Sequence, residues 1–398
     1  LENDATASEL ERWAAGEPCL LGVSESTIFK TSYVPNDTQY GQQTHFGPIN
    51  AATGYDTFYS ASQGANSDVV IAVIDTGVDL AHPDLNPNRW VNSDEIAGNG
   101  ADDDNNGYVD DVNGYNFASN IPNPAPQTWT DDPGGEVHGT HVAGLAAGVA
   151  DNSVGIAGIM GKRAKIMALN IFGTSSGAVV DDLDNAIYYA AENGAKVINM
   201  SLGACTDSPS TETAVSFAIS RGVTVVTAAG NNNRELTDNP GAAVACDGSQ
   251  GRVFITPGSY SNRFAGIITV GSTNVANGAR SGFSNFSTTL VDIAAPGSDT
   301  NTTGGLLSTL PGNTYGRLQG TSMASPVAAG AAALAISLAK TRYGRDISPA
   351  QVEDVLVRAA AVRGNLSAVF KGGKALDLAG LAQQVLATDF SSGGGGCP

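Results

Sequence analysis

The run "DVVIAVID", residues 68 to 75, constrains the fold more than any other segment. From Val69 to Ile74 it is apolar without a break. A strand with one wet face alternates apolar and polar residues. An unbroken run therefore predicts a strand covered on both faces, as in a parallel sheet. Strand-like runs recur at 165–169, 196–200, 223–228 and 267–271, and helical stretches at 140–148, 180–193 and 211–221 alternate with them. This alternation predicts an α/β fold, a doubly wound, mostly parallel sheet with helices on both faces. The chain has 398 residues, of which 41% are hydrophobic and 49 are Gly, which suits a big, loop-rich core. No internal repeat and no long Gly/Pro/Ser linker divides the middle, so a single large domain is expected.

Charge narrows the function classes. Lys and Arg number 20 against 39 Asp and Glu, a formal net charge of −19. Nucleic-acid binding needs basic surface, so no such partner is expected. The apolar run that ends at Lys340 reads as too short and too interrupted for the roughly 20 residues of a membrane span, so no membrane partner is expected either.

That run belongs to "GRLQGTSMASPVAAGAAALAISLAK", residues 316 to 340, where a Gly-broken loop gives way to a buried helix. Thr321 and Ser322 are good N-cap types, and Pro326 suits a first helical turn. On that reading Ser322 is only a cap. As a nucleophile it would gain from the positive end of the helix dipole, but it needs a base to take its proton. The chain holds four His, at 45, 82, 138 and 141. His138 and His141 stand in "EVHGTHVAGLAAG", at a helix start beside Gly. They could be a metal pair, yet no Cys or Glu lies at a zinc-site spacing beside them. Asp75 ends the first strand, and the carboxyl ends of such strands are where sites form; a plain turn Asp is the alternative. A further strand, 223–228, ends in Gly230-Asn231, whose amide could serve an oxyanion or simply a turn.

The segments "IDTG", "HGTHVAG", "AAGN" and "GTSMASP" occur in that order, and Asp…His…Ser is one of the known triad orders. On these segments the sequence resembles the subtilisin-like serine proteases, or subtilases, over residues 34–390. The resemblance implies a secreted, extracellular serine endopeptidase that hydrolyses protein and peptide substrates through an acyl-enzyme. It implies Asp75 as orienting acid, His138 as base, Ser322 as nucleophile, and Asn231 with the Ser322 N–H as oxyanion donors. It makes His141 structural. It implies that Ser201, Leu202 and Gly203 of "VINMSLGAC" pair with the substrate backbone as an added strand. In "FITPGSYSNRF", Ile255 stands where the family's pocket wall commonly has Gly, which would shrink the pocket and favour small or medium apolar groups. An esterase is disfavoured, because Ser322 lacks a G-x-S-x-G elbow. A catalytically silent calcium-binding or adhesive scaffold is disfavoured because all four chemical positions are intact.

The excess acid is concentrated in "NGADDDNNGYVDDVNGYNF", residues 99 to 117. Asp102, Asp104, Asn106, the Tyr108 carbonyl and Asp110 fall at EF-type ligand positions, with Gly107 at the turn. Asn113 stands where an EF-hand has Glu, so this is a different loop, with Asp111 completing the shell. Structural Ca²⁺ is expected there. A second Ca²⁺ site is implied by the resemblance alone: Asp84, the Asn152 side chain, and the carbonyls of Val149, Val154 and Ile156, in a loop one residue longer than the common form.

The cysteines are Cys19, Cys205, Cys246 and Cys397. An even count in a Ca²⁺-loaded protease fits an oxidising, secreted setting. Cys205 follows the substrate-pairing segment and Cys246 lies beyond the strand that carries Asn231, so neighbouring strand ends predict a Cys205–Cys246 bridge. Cys19–Cys397 is left by elimination. The chain begins at Leu1 without an apolar signal region, as a processed product would. Residues 1–33 are similar to the last part of a prodomain, a retained fragment or an extension of this enzyme's own. A prodomain-type inhibitor is an expected partner, and a monomer is expected. Residues 391–398 form a Gly-rich tail, either a linker stub or an arm carrying Cys397.

Overall fold

The computed structural model describes residues 33–60, 64–244, 246, 251–300 and 304–390. The strands in chain order are β1 (Val69–Asp75), β2 (Gly114–Asn116), β3 (Ala164–Asn170), β4 (Val197–Met200), β5 (Thr224–Ala228) and β6 (Ile267–Asn274). They are followed by β7 (Ile293–Ser298), β8 (Leu306–Leu310), β9 (Thr314–Leu318), β10 (Ala361–Val362) and β11 (Lys374–Ala375). The helices are α1 (Ala51–Phe58), α2 (His138–Ala147), α3 (Val180–Glu192), α4 (Pro209–Ser220), α5 (Thr321–Tyr343), α6 (Pro349–Ala359) and α7 (Leu378–Ala387).

Among the described residues nine strands form one sheet in the order β10-β11-β7-β6-β5-β4-β1-β3-β2. All pairings are parallel except β10 with β11. Strand β1 is buried on both faces, as its unbroken apolar run requires. Ile71 and Val73 face a core shared with α2, α5, α6 and α7. Ala72 and Ile74 face a second core shared with α3 and α4. Strand β1 has β3 on one side and β4 on the other, so the chain order reverses there. Clefts form at the carboxyl ends of strands beside such a reversal. The antiparallel hairpin β8–β9 lies outside the sheet.

Helix α5 packs across β1 and β4 to β7. It is 23 residues long and meets the length and apolarity of a membrane span, contrary to the expectation from sequence, but 94% of its apolar window is buried inside the protein. Its small residues allow that burial. Pro326 also departs from expectation, since α5 starts at Thr321 and the proline lies beyond the first turn.

The bridge between Cys205 and Cys246 is present, with Cα atoms 5.9 Å apart. Cys19, Cys397, the 391–398 tail and the predicted extension apart from Tyr33 lie outside the described residues.

Candidate active site

Asp75 is the last residue of β1 and is buried. Its Oδ1 accepts from the Thr76 N–H at 2.7 Å and lies 2.8 Å from His138 Nδ1. The other oxygen, Oδ2, is buried without a hydrogen-bond partner. His138 opens α2 and remains partly exposed. Thr76 fastens that turn: its hydroxyl donates to the Glu136 carbonyl and accepts from the Gly139 N–H, both at 2.9 Å. Gly139 permits the approach, because a Cβ there would stand 2.4 Å from the Gly77 carbonyl oxygen. Burial disfavours the charged imidazolium of His138, but the Asp75 carboxylate and its hydrogen bond outweigh burial and hold the His138 pKa above the ordinary value. His141 turns elsewhere. It is buried, its Nε2 meets the Leu306 carbonyl at 3.0 Å, and burial lowers its pKa to about 3. The two histidines do not form a metal pair.

Ser322 is the second residue of α5. Its Oγ donates to the Ser201 carbonyl at 3.1 Å. Pro326, four residues on, has no N–H to offer the Ser322 carbonyl. The Ser201 hydroxyl donates to that carbonyl instead, at 2.8 Å. Asn199 donates to Ser201 Oγ at 3.0 Å and accepts from Ser325 Oγ at 2.8 Å. A buried polar network thus ties the end of β4 to the first turn of α5. Asn231 follows β5. Its Oδ1 accepts from the Thr321 N–H and hydroxyl, both at 2.9 Å. A backbone N–H can only donate, so the amide oxygen must face Thr321, which leaves Nδ2 as a free donor beside Gly320, where a Cβ would lie 3.4 Å from it. Asn199, Thr321 and Ser325 were not predicted from sequence. Thr321 had a cue, as the neighbour of Ser322 in "GTSMASP".

Residues Ser201 to Gly203 follow β4 directly, and Ala204 then pairs with Thr256. The edge faces two cavities, of about 270 and 360 Å³, both lined by Leu202, Gly203 and Phe172. Ile255 is buried. A Cβ on Gly203 would lie 2.6 Å from Ile255 Cγ2, and one on Gly230 would lie 3.5 Å from Cγ1. Ile255 therefore stands between the Ser201–Gly203 edge and the turn that carries Asn231.

The acidic loop differs from its EF-type reading. Asp104 and Asp111 converge, but with Glu95, which was not predicted; one carboxylate oxygen of each lies within 4.8 Å of the others. Glu95 and Asp111 are buried, and Glu95 Oε2 has no partner. Burial raises the Asp111 pKa, against hydrogen bonds from Tyr189 and Asn106 that lower it. Asp102 instead accepts from the Asn106 and Gly107 N–H groups at 3.0 and 2.9 Å. Asp110 accepts from the Asn99 and Gly100 N–H groups, both at 3.1 Å. Asn106 points its Nδ2 at Asp104 and Asp111, both at 3.0 Å, and Tyr108 packs its ring on Tyr115 and Tyr189. The missed cue was "DEI", just ahead of the stretch read as the loop.

At the second predicted calcium site the candidate side-chain oxygens accept hydrogen bonds. Asp84 accepts from Asn152 Nδ2 at 2.7 Å, the Ile156 N–H at 2.8 Å and the Tyr315 hydroxyl at 2.9 Å. Asn152 Oδ1 accepts from the Val154 N–H at 2.7 Å, and the Val149 N–H donates to the Asp84 carbonyl at 2.8 Å.

A family model described as the subtilase family matches residues 66–385. A thermophilic serine proteinase of Bacillus sp. (strain AK1) is 36% identical over 310 residues, covering 78% of this chain and 61% of that protein. An extracellular protease of Xanthomonas campestris pv. campestris is 34% identical over 375 residues, covering 89% of this chain and 58% of that protein. The chain thus spans about three-fifths of these relatives' length. A solved protease structure from Pseudoalteromonas arctica PAMC 21717 matches with a TM-score of 0.67 at 28% identity, covering 89% of this chain and all of that one.

Proposed function

The chain belongs to the subtilase family, and we propose that it is a secreted, calcium-stabilised serine endopeptidase acting through Asp75, His138 and Ser322. The observation that carries this reading is the 2.8 Å contact between His138 Nδ1 and Asp75 Oδ1 at the strand reversal. That contact makes Nδ1 the protonated nitrogen and leaves Nε2 as the base. Ser322 Oγ leaves the Ser201 carbonyl, gives its proton to Nε2 and attacks the peptide carbonyl. Asn231 Nδ2 and the Ser322 N–H donate to the oxyanion. His138 then protonates the leaving amine, and water repeats the sequence on the acyl-enzyme. The Ser201–Gly203 edge pairs with the substrate backbone.

Ile255 closes the slot that would receive the side chain of the attacked residue, so cleavage after small residues is favoured. Glu95, Asp104 and Asp111 would hold a Ca²⁺, for which carboxylate oxygens are suitable ligands. The ion would neutralise a cluster that burial otherwise makes costly. The Cys205–Cys246 bridge supports secretion, since disulfides persist in oxidising compartments. Hydrolysis of short peptide p-nitroanilides tests the reading. Turnover should fall by about 10⁴-fold or more in Ser322→Ala, and near-normal turnover by that variant would refute the assignment.

A further inference from the structure

The cavity of about 360 Å³ lies on the His138 side of the Ser201–Gly203 edge, away from Ile255. Successive side chains of an extended peptide point to opposite faces. When the attacked residue points toward Ile255, the residue before it points toward His138 and into this cavity. The cavity has an aromatic wall. Trp129 packs on Phe172, with ring centroids 5.5 Å apart and planes 30° apart. Gly135 lies flat on Trp129, where a Cβ would come 2.4 Å from Cζ3. Asp132 also lines the cavity and is exposed. Its carboxylate makes no hydrogen bond or ion pair among the described residues, whereas Asp131 is bonded to Ser176 Oγ at 2.7 Å. The lining includes a second carboxylate, Asp75, and neither Lys nor Arg.

An apolar wall with an unpaired carboxylate complements a side chain that has an aliphatic stem and a cationic head. Aromatic rings add attraction for a nearby cation. We propose that this cavity is a subsite for Lys or Arg at the substrate position just before the residue whose carbonyl is attacked. This assignment rests on the endopeptidase reading and adds a substrate preference to it. An acidic side chain there would face Asp132 and Asp75 unpaired, and a neutral one would leave Asp132 without a partner.

Succinyl-Ala-Ala-X-Ala-p-nitroanilides with X as Lys, Leu or Glu test it. In the unaltered enzyme kcat/KM should be about two- to fivefold higher for Lys than for Leu, as one exposed ion pair gives, and lowest for Glu. The Lys-to-Leu ratio should approach one in Asp132→Asn and shrink as NaCl is raised. Asp132→Lys should put Glu ahead of Lys. Each ratio is taken within one preparation, so a change in the folded fraction cancels. A Lys-to-Leu ratio of one in the unaltered enzyme, or a ratio untouched by Asp132→Asn, would overturn the subsite while leaving the endopeptidase reading intact. If no peptide were cleaved, that reading would fall and the subsite with it.

Discussion

His138 and Asp75 are in contact, and in the proposed mechanism their pairing sets a pH dependence. The base must be neutral to accept the Ser322 proton. Asp75 favours the protonated imidazole and holds its pKa above the ordinary 6.5. Activity should therefore rise with pH along a limb whose midpoint lies above 6.5, read from kcat/KM of the free enzyme. In Asp75→Asn the attraction is gone and burial dominates. The limb should move to lower pH, while the rate falls by about 10⁴-fold. An unmoved limb would mean that another group titrates. At this scale the sequence was informative where a residue ends an element. Asp75 ends β1, His138 opens α2, Ser322 lies in the first turn of α5 and Asn231 in the turn after β5. Thr321, Asn199 and Glu95 were hidden, because their roles arise only from contacts between distant segments. Thr321 orients an amide that is 90 residues away.

Strands β1, β4 and β5 are neighbours, and their carboxyl ends carry Asp75, Ser201 and Asn231. Their apolar runs were legible because burial on both faces removes the polar alternation. The strands at the far end of the sheet and the β8–β9 hairpin were not. Strand β7 contains Pro and Gly, β10 and β11 are two residues each, and β9 is half-exposed. Such segments gain their pairing from the finished fold rather than from local pattern. Helix α5 was legible as buried, but it runs unbroken for 23 residues, with Pro326 inside it rather than in its first turn. In the proposed reading, element packing also sets specificity through Ile255. Ile255→Gly should open the slot between Gly203 and the β5 turn. Peptides with Phe or Leu at the attacked residue should gain about tenfold or more in kcat/KM relative to Ala, from apolar burial of a few kcal/mol. An unchanged Phe-to-Ala ratio would show that the slot lies elsewhere.

At the scale of the whole molecule, the net charge of −19 is partly gathered beside β2. The acidic loop packs Asp111 and Glu95 into the protein edge, so an ion there should act on global stability. Chelation should lower the melting temperature by about 5–10 °C, because a ligand bound only to the folded state stabilises it by mass action. Glu95→Gln should reduce that response, measured by calorimetry. A melting curve indifferent to chelator in the unaltered protein would contradict a structural calcium. The proposed triad requires that the fold align one serine as a nucleophile. Reaction with a fluorophosphonate, followed by peptide mass spectrometry, tests it most directly. A single stoichiometric adduct is expected on Ser322, absent in His138→Ala. An unlabelled protein, or an adduct on another serine, would contradict it.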